Sequence, residues 1–245
     1  MRSFSTLALS LSLAAALLVA GPAHAEKTRL QAKAVVELFT SQGCSSCPPA
    51  DKLLTRLSAR NDVITLAYHV DYWDYIGWPD TFGSAENSEY QRAYAKNWES
   101  SRIYTPQMVV NGTTGVVGSR QNDVTGALDG AKLDLPVKLT LGDDMLKVAI
   151  AGKAGVGKAT VWLVSYSTRS SVAIERGENA GQTMIYSNVV NNRQVLGMWE
   201  PEAGAMIKLP LGELLQSPGS GVAILVQQDH DNLPGPIIGA AAIEN

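Results

Sequence analysis

The sequence predicts an α/β region up to about Asp134, followed by an all-β, sandwich-like region. Two observations predict it. Apolar strand-like runs alternate with amphipathic helical stretches in the first half. From Leu135 the chain changes to short strands punctuated by Gly-Asp-Asp, Gly-Lys-Ala-Gly and Pro-Gly-Ser-Gly, without long helices between them.

The elements follow in order. Met1-Arg2-Ser3, an apolar run from Thr6 to Ala20 and Ala23-His24-Ala25 have the pattern of a signal peptide cleaved after residue 25. The run is shorter than the roughly 20 residues a membrane span needs. Ala34 to Phe39 reads as a buried strand. Ala50, Leu53, Leu54 and Leu57 fall at helical spacing, with Lys52 and Arg56 on the other side. Asp62 to Val70 is a second apolar strand. Ser84 is a candidate N-cap for a helix to Trp98, with Tyr90, Ala93, Tyr94 and Trp98 on one face. Gln107 to Val110, Asn111-Gly112 and Thr113 to Val117 read as a hairpin with a type I′ turn. Gln121 to Lys132 closes the region as a helix. Seven strands are expected beyond it: 137–141, 146–151, 159–167, 185–190, 205–209, 221–228 and 237–243.

Composition narrows the function. With 20 Lys+Arg against 23 Asp+Glu and 45% hydrophobic residues, this is a globular chain without the basic surface that nucleic acid requires. Removing residues 1–25 takes away Arg2 and moves the net charge from −3 to −4. Two cysteines exclude a disulfide-rich scaffold and a four-cysteine zinc site. Export, to the periplasm or beyond the cell, places that pair in an oxidising compartment. No membrane contact is expected after signal cleavage.

Gly43-Cys44-Ser45-Ser46-Cys47-Pro48 carries the chemistry. It follows an apolar strand and opens an amphipathic helix, where free N–H groups and the helix dipole stabilise a thiolate. Pro48 and Pro49 suit the first helical turn, whose N–H groups have no intrahelical acceptor. Cys44 is expected to be the more exposed nucleophile and Cys47 the resolving thiol. A passive structural disulfide is a second reading, although so small a loop contributes only about 2 kcal/mol by chain entropy. A copper site using Cys44, Cys47 and His69 is a third. A non-enzymatic binding or assembly protein would carry the passive disulfide.

His69-Val70-Asp71-Tyr72-Trp73-Asp74 and the following Tyr75 and Trp78 interleave carboxylates with aromatic rings. His69 is a candidate proton shuttle, and Trp73, Tyr75 and Trp78 are candidate platforms for a peptide or sugar ring; packing of the insertion on the sheet is the alternative. Arg176-Gly177-Glu178-Asn179-Ala180-Gly181 reads either as a loop over the thiol site or as a solvated turn. Gly152 to Lys158 mimics a phosphate loop, but Ala159 and a strand follow where Ser or Thr and a helix are needed.

The order strand, CxxC helix, strand, insertion, Thr105-Pro106, hairpin, helix resembles the thioredoxin superfamily. The resemblance implies a thioredoxin-like domain over 26–134 with a helical insertion at 71–101; the strand spacing beyond it reads as a β-sandwich domain over 135–245. It implies a cis Pro106 beside the disulfide and backbone contacts from Thr105 to an incoming peptide. Glu37 would correspond to the buried strand carboxylate, one residue further from the first cysteine than the superfamily has it. The catalytic set is then Cys44, Cys47, Pro106 and Glu37, with Thr105, His69, Trp73 and Trp78 on the substrate side. Gly43 stands where that superfamily usually has Trp, and Ser45-Ser46 replaces its Gly-Pro or Pro-His. Phe39 to Asp51, His69 to Asp74 with Gly77-Trp78, and Arg176 to Gly181 with Asn188-Val189-Val190 resemble a family of bacterial secreted proteins catalogued as domain of unknown function 1223. The expected activity is thiol–disulfide exchange with a thiol- or disulfide-containing protein or a small thiol, without a cofactor or metal.

Overall fold

The computed structural model describes residues 27–29 by their backbone, and residues 32–215 and 217–245 in full; the expected signal peptide, residues 1–25, lies outside them. Strands β1 (Lys27–Arg29), β2 (Ala34–Thr40) and β3 (Val63–His69) come first, with α1 (Pro48–Ser58) crossing from β2 to β3. Every residue of β2 and β3 is buried, as strands covered on both faces must be. The two run parallel in register from Ala34↔Val63 to Thr40↔His69. Ala34, Val36 and Leu38 pack under Ala50, Leu53, Leu54 and Leu57 of α1. The intervening Val35 and Phe39 face the other side, where Tyr94 of α2 (Ala85–Asn97) packs. Ser84 caps α2 by accepting from the Asn87 N–H at 3.2 Å, as its sequence position predicts.

Strands β4 (Gln107–Val110) and β5 (Thr114–Val117) form the expected hairpin, and α3 (Gln121–Asp129) follows. Asn111 (φ 49°) and Gly112 (φ 68°) both take the left-handed conformation of a type I′ turn. The tip of this hairpin is buttressed from the second half: Ile237 donates its N–H to the Asn111 carbonyl at 2.9 Å.

The second half contributes β6 (Val137–Gly142), β7 (Met145–Ile150), β8 (Ala159–Ala173), β9 (Thr183–Trp199), β10 (Ala205–Pro210), a short α4 (Leu211–Leu214), β11 (Ser220–His230) and β12 (Leu233–Glu244). All seven expected strands are present, but β8 and β9 run far beyond their apolar cores. Backbone pairing with each other, rather than burial, extends them, from Ala159↔Trp199 to Ala173↔Thr183. The strands make two sheets. A nine-stranded mixed sheet has the order β1-β12-β11-β8-β9-β3-β2-β4-β5, and a three-stranded antiparallel sheet the order β10-β7-β6. Leu139, Leu146 and Val148 of the small sheet pack against Val161, Leu163, Val222 and Ile224 of the large one, which is the face-to-face contact of a sandwich. The large sheet does not stop at residue 134: β9 joins β3 through a parallel bridge at Ala67↔Val189. Residues 152–158, the phosphate-loop mimic, connect two strands and open no helix.

A Cβ added to Gly112 would lie 2.3 Å from the Gly235 carbonyl oxygen while the backbone stays left-handed. Gly112→Ala is therefore expected to destabilise the protein by about 2 kcal/mol or more, from αL strain plus a backbone clash. Urea unfolding at unchanged m-value checks this; a loss below about 0.5 kcal/mol, the range of an ordinary surface change, would refute it.

Candidate functional site

The site begins where β2 ends. The chain turns at Ser41–Gly43, with Ser41 Oγ accepting from Gly43 N at 3.1 Å, and Cys44 N donates to the Ser41 carbonyl at 3.2 Å. Cys47 is the residue before α1, whose first turn opens with Pro48-Pro49. Cys44 and Cys47 form a disulfide with Cα atoms 5.4 Å apart. The bond lies at the N-terminus of α1, where the helix dipole favours a thiolate; Pro48 and Pro49 carry no N–H, and the Ala50 and Asp51 N–H groups donate to the Cys47 carbonyl at 2.8 and 3.1 Å. Cys44 is 3% exposed and Cys47 0%, so the first cysteine is the outer one by a narrow margin. Ser45 and Ser46 are exposed. Ser46 Oγ lies 3.4 Å from Cys44 Sγ and donates at 3.5 Å to the Thr105 carbonyl. The Thr105–Pro106 peptide is cis and Pro106 is buried.

A polar interior lies behind the disulfide on the α1 side of the sheet. Asp51 stands one turn after Cys47, and its N–H donates to the Cys47 carbonyl at 3.1 Å. Positions i and i+4 share a helix face, so both side chains point inward. Asp51 Oδ1 accepts from Thr40 Oγ1 at 2.9 Å, while Oδ2 is buried without a partner. Burial pushes the Asp51 carboxyl up to about 7, against the opposing pull of His69 and the Thr40 hydrogen bond. His69 faces the same side at the end of β3, in register with Thr40. Asp80 Oδ2 accepts from the Gln42 N–H at 2.7 Å and Oδ1 from Phe82 N at 2.8 Å. That carboxylate therefore takes the His69 Nδ1–H as well, at 2.7 Å, leaving His69 Nε2 buried and unpartnered. The His69 ring is held edge-on by Phe82 and Tyr186.

Gln42 ties the surroundings together. It is fully buried, accepts from Trp78 Nε1 at 2.8 Å, and donates to Thr81 Oγ1 at 2.8 Å. Its carbonyl accepts from Asn179 Nδ2 at 2.8 Å, and the same nitrogen donates to the Cys44 carbonyl at 3.0 Å. The 176–181 segment is thus a loop held on the cysteine turn by a buried asparagine. Trp73 closes the opposite side: its Nε1 donates to Thr105 Oγ1 at 2.7 Å, and its Cβ lies 3.3 Å from where a Gly43 side chain would start. A side chain at position 43 would press on Trp73 and on Ile76, whose Cδ1 lies 3.4 Å from the same point.

The structure brings Cys44, Cys47, Thr105, Pro106 and Trp73 together. Glu37 is elsewhere. It is buried, but alternation along β2 turns it to the α2 face, where it accepts from Tyr90 at 2.9 Å and Tyr94 at 2.6 Å. The expected proton acceptor thus faces away from the thiols, with burial pushing its pKa up. His69 is 0% exposed, so it does not meet a ligand at the surface. Trp73 and Trp78 are half-buried with their N–H groups spent on Thr105 and Gln42, so they pack the insertion down. Tyr75, 79% exposed and stacked on Trp73, is the free ring beside the site. Among the described residues no group of three or more His, Cys, Asp or Glu is arranged to hold a metal. The sequence reasoning missed Gln42, Asp51 and Asp80. Asp51 had a signal: a lone acid on the apolar side of α1, one turn after the second cysteine.

Asn179→Ala removes the clamp while leaving the turn's own hydrogen bonds in place. Reduction of the disulfide by dithiothreitol is expected to quicken by up to about tenfold, the equivalent of about 1.4 kcal/mol. The exposed neighbour Glu178→Ala should leave the rate unchanged. Equal rates in all three proteins would show that the loop does not restrict access.

The relationships of the chain accord with this geometry. The sequence model of a family described as "Protein of unknown function (DUF1223)" matches residues 35–227, a span holding both cysteines, Pro106 and Asn179. No curated protein matches. The crystal structure of protein AGR_C_4864 from Agrobacterium tumefaciens is similar, with 34% sequence identity and a TM-score of 0.78 over 87% of this chain and 95% of that one. With a match over most of its length, this chain belongs to the DUF1223 family.

Proposed function

We propose that this is an exported thiol–disulfide exchange protein built on a thioredoxin-like half, acting on a thiol- or disulfide-containing protein or a small thiol. The observation that carries the reading is the Cys44–Cys47 disulfide at the start of α1, with the cis Thr105–Pro106 segment bonded to Ser46 between the two cysteines. In the oxidised protein a partner thiolate attacks Cys44 Sγ, the S–S bond breaks, and Cys47 leaves as a thiolate. A second partner thiolate then attacks the partner sulfur of the mixed disulfide and releases Cys44. The partner dithiol gives up two electrons and becomes a disulfide, and the cysteine pair is reduced. The reverse sequence reduces a partner disulfide. Asp51, one turn after Cys47 and poised near neutrality, gives or takes the proton that Cys47 needs.

A second reading, a passive disulfide in a binding or assembly protein, is favoured by the near-complete burial of Cys44. The reduction potential separates the two. Equilibration in glutathione buffers should give a value between about −120 and −270 mV for a working exchange protein, and below about −300 mV for a passive bond. In the exchange reading, Cys47→Ser accumulates mixed disulfides through Cys44, whereas Cys44→Ser forms none.

Asp51 adds a pH signature. Its native pKa lies above the unfolded carboxylate value, so the native state holds more protons between about pH 4 and 7. Its contribution to stability therefore falls as pH rises through that window, by at most about 1.4 kcal/mol per pH unit, and levels off above it. For the reduced protein attacking oxidised glutathione, the rate should show an inflection near pH 7 as Asp51 ionises. Asp51→Asn should remove this group's share of the stability slope, leaving that of the other raised carboxyls such as Glu37, and should remove the inflection, leaving the titration of the thiols. Persistence of the inflection in that variant would remove Asp51 from the reaction.

A further inference from the structure

We infer that the outer face of the small sheet, β10-β7-β6, is a docking surface for an extended acidic polypeptide segment. Residues alternate between the two faces along each of its strands. Leu139, Leu146 and Val148 are buried against the large sheet, and the residues between them turn outward. The register sets the outward residues in rows across the three strands. Lys138, Ala149 and Met206 form one row, and Thr140, Lys147 and Lys208 the next. No Asp or Glu occurs in any of the three strands.

The face carries a charge that the chain does not balance. Lys147 stands directly opposite Lys208, and like charges in that position destabilise a sheet. Lys138 is the diagonal neighbour of Lys147, about 7–8 Å away by sheet geometry. Among the described residues no carboxylate pairs with the exposed Lys138 or Lys208. Lys147 has Asp143 of the β6–β7 turn at 3.4 Å, a side chain 89% exposed and so well screened by water. The chain as a whole carries −3, so its surface away from these three lysines carries −6. That contrast selects the partner. An anionic membrane is a plane and would repel the remainder of the molecule, whereas a single segment lies within the roughly 8 Å over which charge acts at physiological salt. Carboxylates at alternate residues of an extended segment are about 6.5–7 Å apart, close to the diagonal lysine spacing. Between Lys138 and Met206, over Ala149, a cavity of about 480 Å³ leaves room for an apolar side chain of the segment. Met206 is 76% exposed there, and its flexible thioether adapts to such a side chain. The partner is therefore extended and acidic, with an apolar anchor between its carboxylates.

The test is fluorescence anisotropy of labelled, N-acetylated peptides of about ten residues, long enough to cross the sheet, titrated with the full mature chain. The probe alternates Glu with Thr around one central Leu, and the control carries Gln in place of every Glu. Saturable binding of the acidic peptide is expected, at least about tenfold tighter than the control and weakened at least about tenfold between about 20 and 300 mM NaCl. Lys147→Gln combined with Lys208→Gln removes the repelling pair, so this variant should resist urea at least as well as the parent. It is expected to lose about tenfold in affinity, while Lys96→Gln, an exposed change on α2, should lose none. Failure of the acidic peptide to bind would overturn the inference, as would equal binding of the Gln control or binding untouched by the double variant. Tighter binding to phosphatidylglycerol vesicles would assign the face to a membrane, and self-association abolished by the double variant would assign it to a second copy of the chain; either result overturns the inference too. None of these readouts depends on exchange chemistry at Cys44 and Cys47.

Discussion

The structure depends on one seam. Strand β3 closes the α/β half and β9 belongs to the other half, and they meet at the parallel bridge Ala67↔Val189. Parallel pairing over so short a stretch is weak by itself. Asn188 strengthens it from a left-handed backbone (φ 54°), donating Nδ2 to the Thr65 carbonyl at 3.0 Å and to Thr65 Oγ1 at 2.9 Å. Asparagine suits that position because its short side chain tolerates αL and carries the amide that reaches across. Everything beyond the seam on the β8–β9 ribbon is thereby aimed over the α1 side. Ser187 reaches Thr55 at 3.0 Å, Tyr186 reaches His69, and the 176–181 loop reaches the cysteine turn.

The two faces of the sheet manage buried charge differently. On the α1 face, Asp80 is satisfied by two backbone N–H groups and His69, while Asp51 has one partner and is pushed up towards neutrality. A carboxyl with one bare oxygen in the interior is poorly satisfied structurally and well suited to proton transfer. On the α2 face, Glu37 has the hydroxyls of Tyr94, Tyr90 and Tyr68 around it and the field of Arg193, a network that holds α2 on the sheet. Both carboxyls are raised chiefly by desolvation, so burial alone does not distinguish them. Position does: Asp51 shares a helix face with Cys47, as the proposed exchange reaction requires of its proton donor, and Glu37 faces the other way.

What was legible in the sequence is what local chemistry determines. Ser84 as a cap, Asn111-Gly112 as a turn and the apolar run of β2 declare themselves through hydrogen bonding, backbone freedom and burial, all within a few residues. The cysteine turn before α1 is legible for the same reason. The side of the sheet that Glu37 faces was not, because a strand buried on both faces shows no alternation to read. The lengths of β8 and β9 were hidden by their polar outer halves, which pair without burying a continuous face. The sheet's passage across residue 134 was hidden because long-range pairing leaves no local mark. His69 and Trp78 read by residue type as a proton shuttle and a ligand platform, and their long-range hydrogen bonds to Asp80 and Gln42 leave no local mark in the sequence.

The seam also decides what counts as the site. The chemistry-bearing motif lies wholly in the first half, and an α/β unit of residues 32–134 would contain both cysteines, Pro106 and Asp51. In the whole chain, however, the carbonyls of Gln42 and Cys44 are bonded by Asn179, and His69 is walled by Tyr186. A buried carbonyl stripped of its donor costs about 1–3 kcal/mol, and the loss of Tyr186 would open the polar interior to water. Water beside Asp51 would remove the desolvation that raises its pKa, and with it the acid–base property assigned to this group. The second half is thus a structural part of the cysteine site: it supplies the dry environment that raises a carboxyl one turn from Cys47 to about 7, and it holds in place the turn that carries Cys44.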